Sequence, residues 1–182
     1  MPGARVARGE RVTLRIVEEE DVPFLQRGSA TPEIRYPLGN PVRSREEFEV
    51  STDGTDRFLV CLDDDDDPGR PADGAVRPIG AVTLTGVDYR RPELGYWLVP
   101  AVHREGYGTD ALTLAIDYAF REYDTPTVGA EAFDFNDASR GLLESLGFTE
   151  EGRKQDFMFV DGSYRDMVMY GLRRDDWQHR TQ

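Results

Sequence analysis

One stretch constrains this chain more than any other: Trp97-Leu98-Val99-Pro100-Ala101-Val102-His103-Arg104-Glu105-Gly106-Tyr107-Gly108-Thr109-Asp110-Ala111-Leu112. It reads as an apolar strand, a short turn with two glycines, and the opening of an amphipathic helix. The helical pattern is clearest over Asp110 to Glu122, with Leu112, Ile116, Ala119 and Phe120 on one stripe and Asp110, Asp117 and Arg121 off it. Glycine lets a backbone come close to a ligand. The first N–H groups of a helix have no partner within it, and they sit at the positive end of the helix dipole. The arrangement suits a pyrophosphate held between a strand end and a helix start.

Composition narrows the class. The 182 residues suit one domain with a proper core. Thirty-five acidic against 22 basic residues give a net charge of −13. That balance argues against a nucleic-acid partner, which calls for a basic surface, and against docking on an anionic membrane. Lys154 is the only lysine; the other 21 basic residues are arginines. Strong acidity with a single lysine is what a high-salt cytosol favours, since salt screens the self-repulsion of a dense acidic surface. A GC-rich genome is the alternative, and it explains the missing lysine but not the excess of aspartate. A lone cysteine, Cys61, excludes an intrachain disulfide, and its neighbours Phe58, Leu59, Val60 and Leu62 mark it as a core thiol. No run of about 18 apolar residues occurs, and the expected location is the cytoplasm. One cysteine and two distant histidines offer no metal site.

Arg11 to Val17 alternates as a half-buried strand, and Glu18-Glu19-Glu20-Asp21 opens a helix. Thr31 to Arg43, with three prolines and a glycine, reads as mostly irregular. Ser44-Arg45-Glu46-Glu47 is a capping box for a short helix. Arg57 to Leu62 is a strand. The acidic segment 63–75 begins with five aspartates and reads as a mobile loop, a solvated hairpin tip rather than a calcium loop, which needs spaced ligands. Arg77 to Val87 and Glu93 to Val99 form an antiparallel hairpin, and Thr127 to Phe133 is a further strand. Asn136 or Asp137 caps a helix that runs to Leu146 and stops at Gly147. Phe157 to Val160 and Tyr164 to Leu172 close the order as two strands around Asp161-Gly162.

This order, with a glycine turn opening the third helix, resembles the GNAT superfamily of N-acetyltransferases. The positions that match its acetyl-CoA motif are His103, Gly106 and Gly108, with His103 standing where Gln or Arg is usual. The downstream half is similar to the RimJ/RimL-type branch. The pieces are Gly95-Tyr96-Trp97, Gly106-Tyr107-Gly108-Thr109-Asp110-Ala111, Asn136-Asp137-Ala138-Ser139, Leu146-Gly147-Phe148, Glu151-Gly152 with Asp161-Gly162-Ser163-Tyr164-Arg165-Asp166, and Tyr170-Gly171-Leu172. The resemblance covers residues 10–176, most firmly from Gly80 onward. It implies an α/β (α+β) GNAT fold: a mixed, mostly antiparallel central sheet, splayed between its fourth and fifth strands and flanked by helices. It also implies acetyl-CoA as cofactor, direct attack by an amine with no acetyl-enzyme, and a protein N-terminus, ribosomal-protein-like, as acceptor. Many members of that branch dimerise, so the resemblance allows a homodimer.

Site residues follow from the same resemblance. Backbone groups of Trp97, Leu98 and Val99 would hold the pantetheine arm, one amide serving the thioester oxygen as an oxyanion-type donor. The turn His103, Arg104, Glu105, Gly106, Tyr107, Gly108 and Thr109 would carry the pyrophosphate, with His103 as a flank. Asn136 would hydrogen-bond the pantetheine, or serve only as the helix cap. Ser139 would protonate the leaving sulfur, or be merely small enough to let the cofactor pass. Leu143 stands where other members carry a tyrosine acid, so a tyrosine would have to come from another strand. Glu93 is the first candidate for general base, Asp156 the second and Glu131 the third, against the plain reading of exposed carboxylates on an acidic protein. The alternatives to a protein acceptor are a small-molecule amine (an antibiotic or polyamine) and a GNAT protein that binds acyl-CoA without catalysis.

Overall fold

The computed structural model describes residues 2–48, 50, 52–63, 68, 69, 71, 72, 74–88 and 91–181. Among them eight strands form one sheet. In spatial order they are β1 (Arg5–Arg8), β2 (Thr13–Ile16), β3 (Thr55–Asp63), β4 (Val76–Thr85), β5 (Glu93–Leu98), β6 (Thr127–Phe133), β8 (Ser163–Arg173) and β7 (Thr149–Val160). Every neighbouring pair is antiparallel except β5 and β6. Those two meet only at Glu93–Gly129 and Leu94–Ala130. Beyond these pairs they part, while β6 continues to Phe133 along β8. The splay is the one the resemblance implies, counted one strand later because Arg5–Arg8 adds an edge strand too short and too charged to show in the pattern.

Strand alternation sorts the core onto two faces. Phe58 and Val60 of β3 turn toward α3 (Tyr107–Glu122) and α4 (Asp137–Ser145), where they join Leu112, Ile116 and Leu143. Leu59 and Cys61 turn the other way and join Leu25 of α1 (Val22–Ala30). Burial pushes the Cys61 thiol up, away from thiolate chemistry, as a core residue requires. α2 (Pro32–Leu38) follows α1 on this face, and its Tyr36 packs against Phe133. Thr31 to Arg43 is therefore not mostly irregular. Pro32 occupies the first helical position, where its missing N–H costs nothing, and Gly39 closes the helix at φ 64°. Ser44 and Glu47 do form both halves of the capping box, around a single 3-10 turn.

Two further elements escape the pattern. β7 begins at Thr149 rather than Phe157, since residues 149–156 of this edge strand are largely exposed and show no apolar alternation. α5 (Arg174–Thr181) is anchored by side chains: Trp177 donates to Asp117 at 2.7 Å, and Arg174 donates to the carbonyls of Phe120, Tyr123 and Thr125 at the end of α3. No helix among the described residues is long and apolar enough to cross a membrane.

The acidic segment needs a correction at its first residue. Asp63 is the last residue of β3, and its side chain is fully enclosed. It accepts from Arg15 at 2.6 Å and from the Thr13 hydroxyl. Arg15, also fully buried, donates to the carbonyls of Gly3 and Gly69 as well. A buried guanidinium requires a carboxylate, and that requirement overrides the loop reading. Arg5 N–H holds the Pro68 carbonyl. Residues 64–67, 70 and 73, on which the expectation of a mobile loop chiefly rested, lie outside the described residues.

Candidate active site

The glycine turn opens as an anion cradle. After a 3-10 turn at Pro100–Val102, Arg104 and Gly106 both take left-handed backbone conformations, at φ 65° and 85°. α3 then begins at Tyr107, three residues before the helical periodicity becomes clear. No side chain caps this helix, so the amides of Tyr107, Gly108 and Thr109 are left for an external acceptor. Gly108 has a packing reason as well: a Cβ there would sit 3.1 Å from Leu142 of α4. His103 does flank the turn, its Nε2 bonding the Leu98 carbonyl at 2.9 Å.

Arg11, which the sequence reading left out of the site, braces the turn from outside. Its guanidinium donates to the Glu105 carbonyl at 2.7 Å, pairs with Asp110 at 2.6 Å, and lies over the Tyr107 ring. A Cβ on Gly106 would approach it to 2.6 Å. No local signal could reveal this contact, since Arg11 lies 94 residues before Glu105.

Ladder phase decides which backbone groups face the gap between β5 and β6. Val99 N–H bonds the Ile79 carbonyl of the β4 edge at 2.8 Å. On the other side, Gly129 N–H bonds the Pro92 carbonyl at 2.8 Å. Antiparallel groups alternate, and the β4–β5 register is unbroken from Gly80–Leu98 to Thr85–Glu93. The polar groups of Trp97 and Val99 are thus spent on β4, and those of Tyr96 and Leu98 face the gap. Of the three expected backbone donors Leu98 stays on the gap side, and Tyr96 stands there in place of Trp97 and Val99. The Trp97 side chain stacks on Phe24 of α1 and presses on Gly28, where a Cβ would come within 2.3 Å of it.

Across the gap, Asn136 is the cap of α4: its Oδ1 accepts Ser139 N–H at 3.1 Å, which leaves the Nδ2 donors as what it can offer a ligand. Ser139, in the first turn of α4, meets the Tyr96 hydroxyl, with Oγ and the phenol oxygen 2.7 Å apart. Burial raises the Tyr96 phenol to about 12. A tyrosine thus does reach the gap, from β5 and not from the helix. Leu143 is buried core.

Glu93 stands at the closed end of the gap, on the face shared with Gly95 and Trp97. Its carboxylate folds over Gly129, where a Cβ would lie 2.3 Å from Oε2. Oε1 accepts from Arg91 at 3.0 Å, while Oε2 is buried with no hydrogen-bond partner. Arg91 also holds Glu151 at 2.6 Å. Burial outweighs the arginine and holds the Glu93 carboxyl above the usual carboxylate range. Glu131 is paired with Lys154 at 2.7 Å. Asp156 sits on a bulge of the edge strand β7, exposed, at φ 47°, its amide bonded to Asp166. It meets neither Glu93 nor Ser139, and two strands' width separates it from the gap.

On the α1 side of the same sheet lies a cavity of about 470 Å³. Its floor is Thr55, Arg57, Thr83, Thr85, Gly95 and Trp97, and its walls include Ser29, Asn40, Arg43 and Glu47. The Glu47 carboxylate is engaged by Ser44 N–H at 2.6 Å. The cavity thus borders β5 on one face while the turn and α4 border the gap on the other.

Comparison with known proteins agrees with this architecture. Residues 11–149 match the family described as the acetyltransferase (GNAT) domain. YdaF of Bacillus subtilis (strain 168), by name a ribosomal N-acetyltransferase, is 35% identical over 101 residues, 54% of this chain and 55% of its own. The [ribosomal protein uS5]-alanine N-acetyltransferase of Escherichia coli (strain K12) is 36% identical over 84 residues, 46% of this chain and 43% of its own. These matches span about half the length of the curated relatives. The crystal structure of spermidine N-acetyltransferase from Vibrio cholerae with CoA and spermine superposes with a TM-score of 0.80 at 22% identity, over 93% of this chain and 99% of that one. With its splayed sheet, its uncapped third helix and a family match over most of its length, the chain belongs to the acetyltransferase (GNAT) domain family.

Proposed function

We propose that this protein moves the acetyl group of acetyl-CoA onto a primary amine by direct attack, and that the amine is a protein N-terminus. One observation carries the reading: an uncapped helix start, a strand edge whose backbone groups turn away from β4 and a half-buried carboxylate all border one gap. The amides of Tyr107, Gly108 and Thr109 bind the pyrophosphate, with Arg104, Glu105 and Gly106 shaping the turn and His103 tying it to β5. The backbone of Tyr96 and the N–H of Leu98 are offered to the pantetheine arm, the Leu98 carbonyl being held by His103, and Asn136 offers Nδ2. Acetyl-CoA supplies an activated acyl group whose leaving group is a thiolate. Glu93, with its raised pKa, takes the proton from the attacking amine, directly or through water, and Ser139 gives one to the sulfur. Asp156 is too far out on β7 for either task.

The acceptor assignment rests on the cavity beside Trp97. Among its described lining residues are two arginines and one glutamate, and that glutamate already caps a turn. A polycation finds few partners there, whereas a peptide backbone finds threonine hydroxyls and arginine donors. Thiol release from acetyl-CoA, followed with free N-terminal peptides, spermidine and aminoglycosides at high salt, tests the reading. Peptides are expected to turn over fastest. Faster turnover of spermidine would move the acceptor to the small amines, and binding without turnover on every amine would make the protein a non-catalytic acyl-CoA binder.

A further inference from the structure

The Tyr96–Ser139 contact is more specific than packing requires. Tyr96 leaves β5 just where that strand parts from β6, and its ring crosses to the first turn of α4. Its hydroxyl lies 2.7 Å from Ser139 Oγ and 3.3 Å from the Ser139 carbonyl. One hydroxyl hydrogen can satisfy only one of these at a time. If the phenol donates to Oγ, the serine hydrogen is free to point into the gap. We propose that Tyr96 and Ser139 form a two-hydroxyl relay that delivers the proton to the departing thiolate, with Ser139 touching the sulfur and Tyr96 acting through Ser139.

The inference rests on the transferase reading given above, and its chemistry balances. As the amine nitrogen bonds to the acyl carbon, the carbon–sulfur bond breaks and its electron pair goes to sulfur. Sulfur takes the Ser139 hydroxyl proton, Ser139 Oγ takes the phenol proton, and the Tyr96 oxygen carries the negative charge only until it is reprotonated. The proton shed by the amine leaves through the base, and Tyr96 is reprotonated from solvent once the products depart. A serine alone would have to carry that charge as an alkoxide. A phenol is a stronger acid than an aliphatic alcohol even when burial raises it to about 12. The titratable group that acts on Tyr96 besides Ser139 is Tyr170 of β8, whose own hydroxyl sits between Arg140 and Glu144 of α4.

The test compares wild type, Tyr96→Phe, Ser139→Ala and the double variant, together with protein carrying 3-fluorotyrosine at position 96 alone. Tyr96→Phe and Ser139→Ala each lower kcat by roughly 10²-fold, with the acetyl-CoA dissociation constant unchanged, and the double variant falls no further than either. Fluorination acidifies the phenol, so the basic limb of the kcat–pH profile moves to lower pH. A purely structural tyrosine would move Tm or Kd and leave that limb in place. The fluorinated protein keeps both ring and hydroxyl, and carries the test if Tyr96→Phe does not fold. An active wild type with kcat unchanged in Tyr96→Phe, or with the limb unmoved by fluorine, overturns the relay alone. A wild type inactive on every amine overturns the transferase reading, and the relay with it.

Discussion

The two ends of the gap between β5 and β6 are built on different principles. At the turn, the groups we propose for the ligand are backbone amides, placed by Arg104 and Gly106 in left-handed conformations and by the start of α3. The closed end is built from side chains that converge from distant positions: Tyr96 meets Ser139 across 43 residues, and Arg91 meets Glu151 across 60. A backbone cradle is a local property and survives a side-chain change such as His103 in place of Gln or Arg. A convergent cluster depends on tertiary placement, and one altered side chain changes its chemistry.

The contrast can be broken most sharply at Glu93. Glu93→Gln should lower kcat/KM for a peptide acceptor by roughly 10² to 10⁴-fold in steady-state assays at saturating acetyl-CoA. The sign of the pH dependence follows from the raised carboxyl. The base works ionised, so kcat/KM should fall as acid protonates it, with a midpoint above that of an ordinary glutamate. Glu93→Gln should lose that limb. A control away from both ends is the buried pair: Asp63→Ala removes the enclosed carboxylate that Arg15 holds at 2.6 Å and should cost about 3–5 kcal/mol of stability, read by denaturant melts, with no specific effect on acetyl-CoA binding. Gly28→Ala drives a methyl against the Trp97 ring, 2.3 Å away at best. Crowding of that kind costs about 1–3 kcal/mol, and here it should raise KM for the acceptor while the acetyl-CoA Kd stays put. The smallest effect concerns the surface: if the net charge of −13 is a high-salt adaptation, Tm should climb from dilute buffer to molar KCl, and a flat series would favour codon bias.

What was legible in the sequence follows the same division. The turn, α3, β6, the Asn136 cap and the stop at Gly147 are written in neighbouring residues, and the structure shows each within a few positions of the expected bounds. Elements held by distant partners were not legible. β1 and the first half of β7 are charged edge strands without alternation. α5 depends on Arg174 and Trp177 meeting α3. Asp63 looked like one aspartate among five because its partner, Arg15, lies 48 residues earlier. In the site, Gly95-Tyr96-Trp97 was visible as a motif, yet only the ladder phase shows that Tyr96, not Trp97, turns its backbone to the gap. Arg11 and Arg91 carried no local signal at all.

The central claim is that binding and proton transfer occupy separate ends of one gap. It is tested most directly by calorimetric measurement of the acetyl-CoA dissociation constant in wild type, Gly106→Ala and Glu93→Gln. A residue other than glycine at φ 85° costs roughly 1–2 kcal/mol, so Gly106→Ala should weaken acetyl-CoA about tenfold, while Glu93→Gln should bind it as wild type does. An unchanged constant in Gly106→Ala, or an equal loss in Glu93→Gln, would contradict the account.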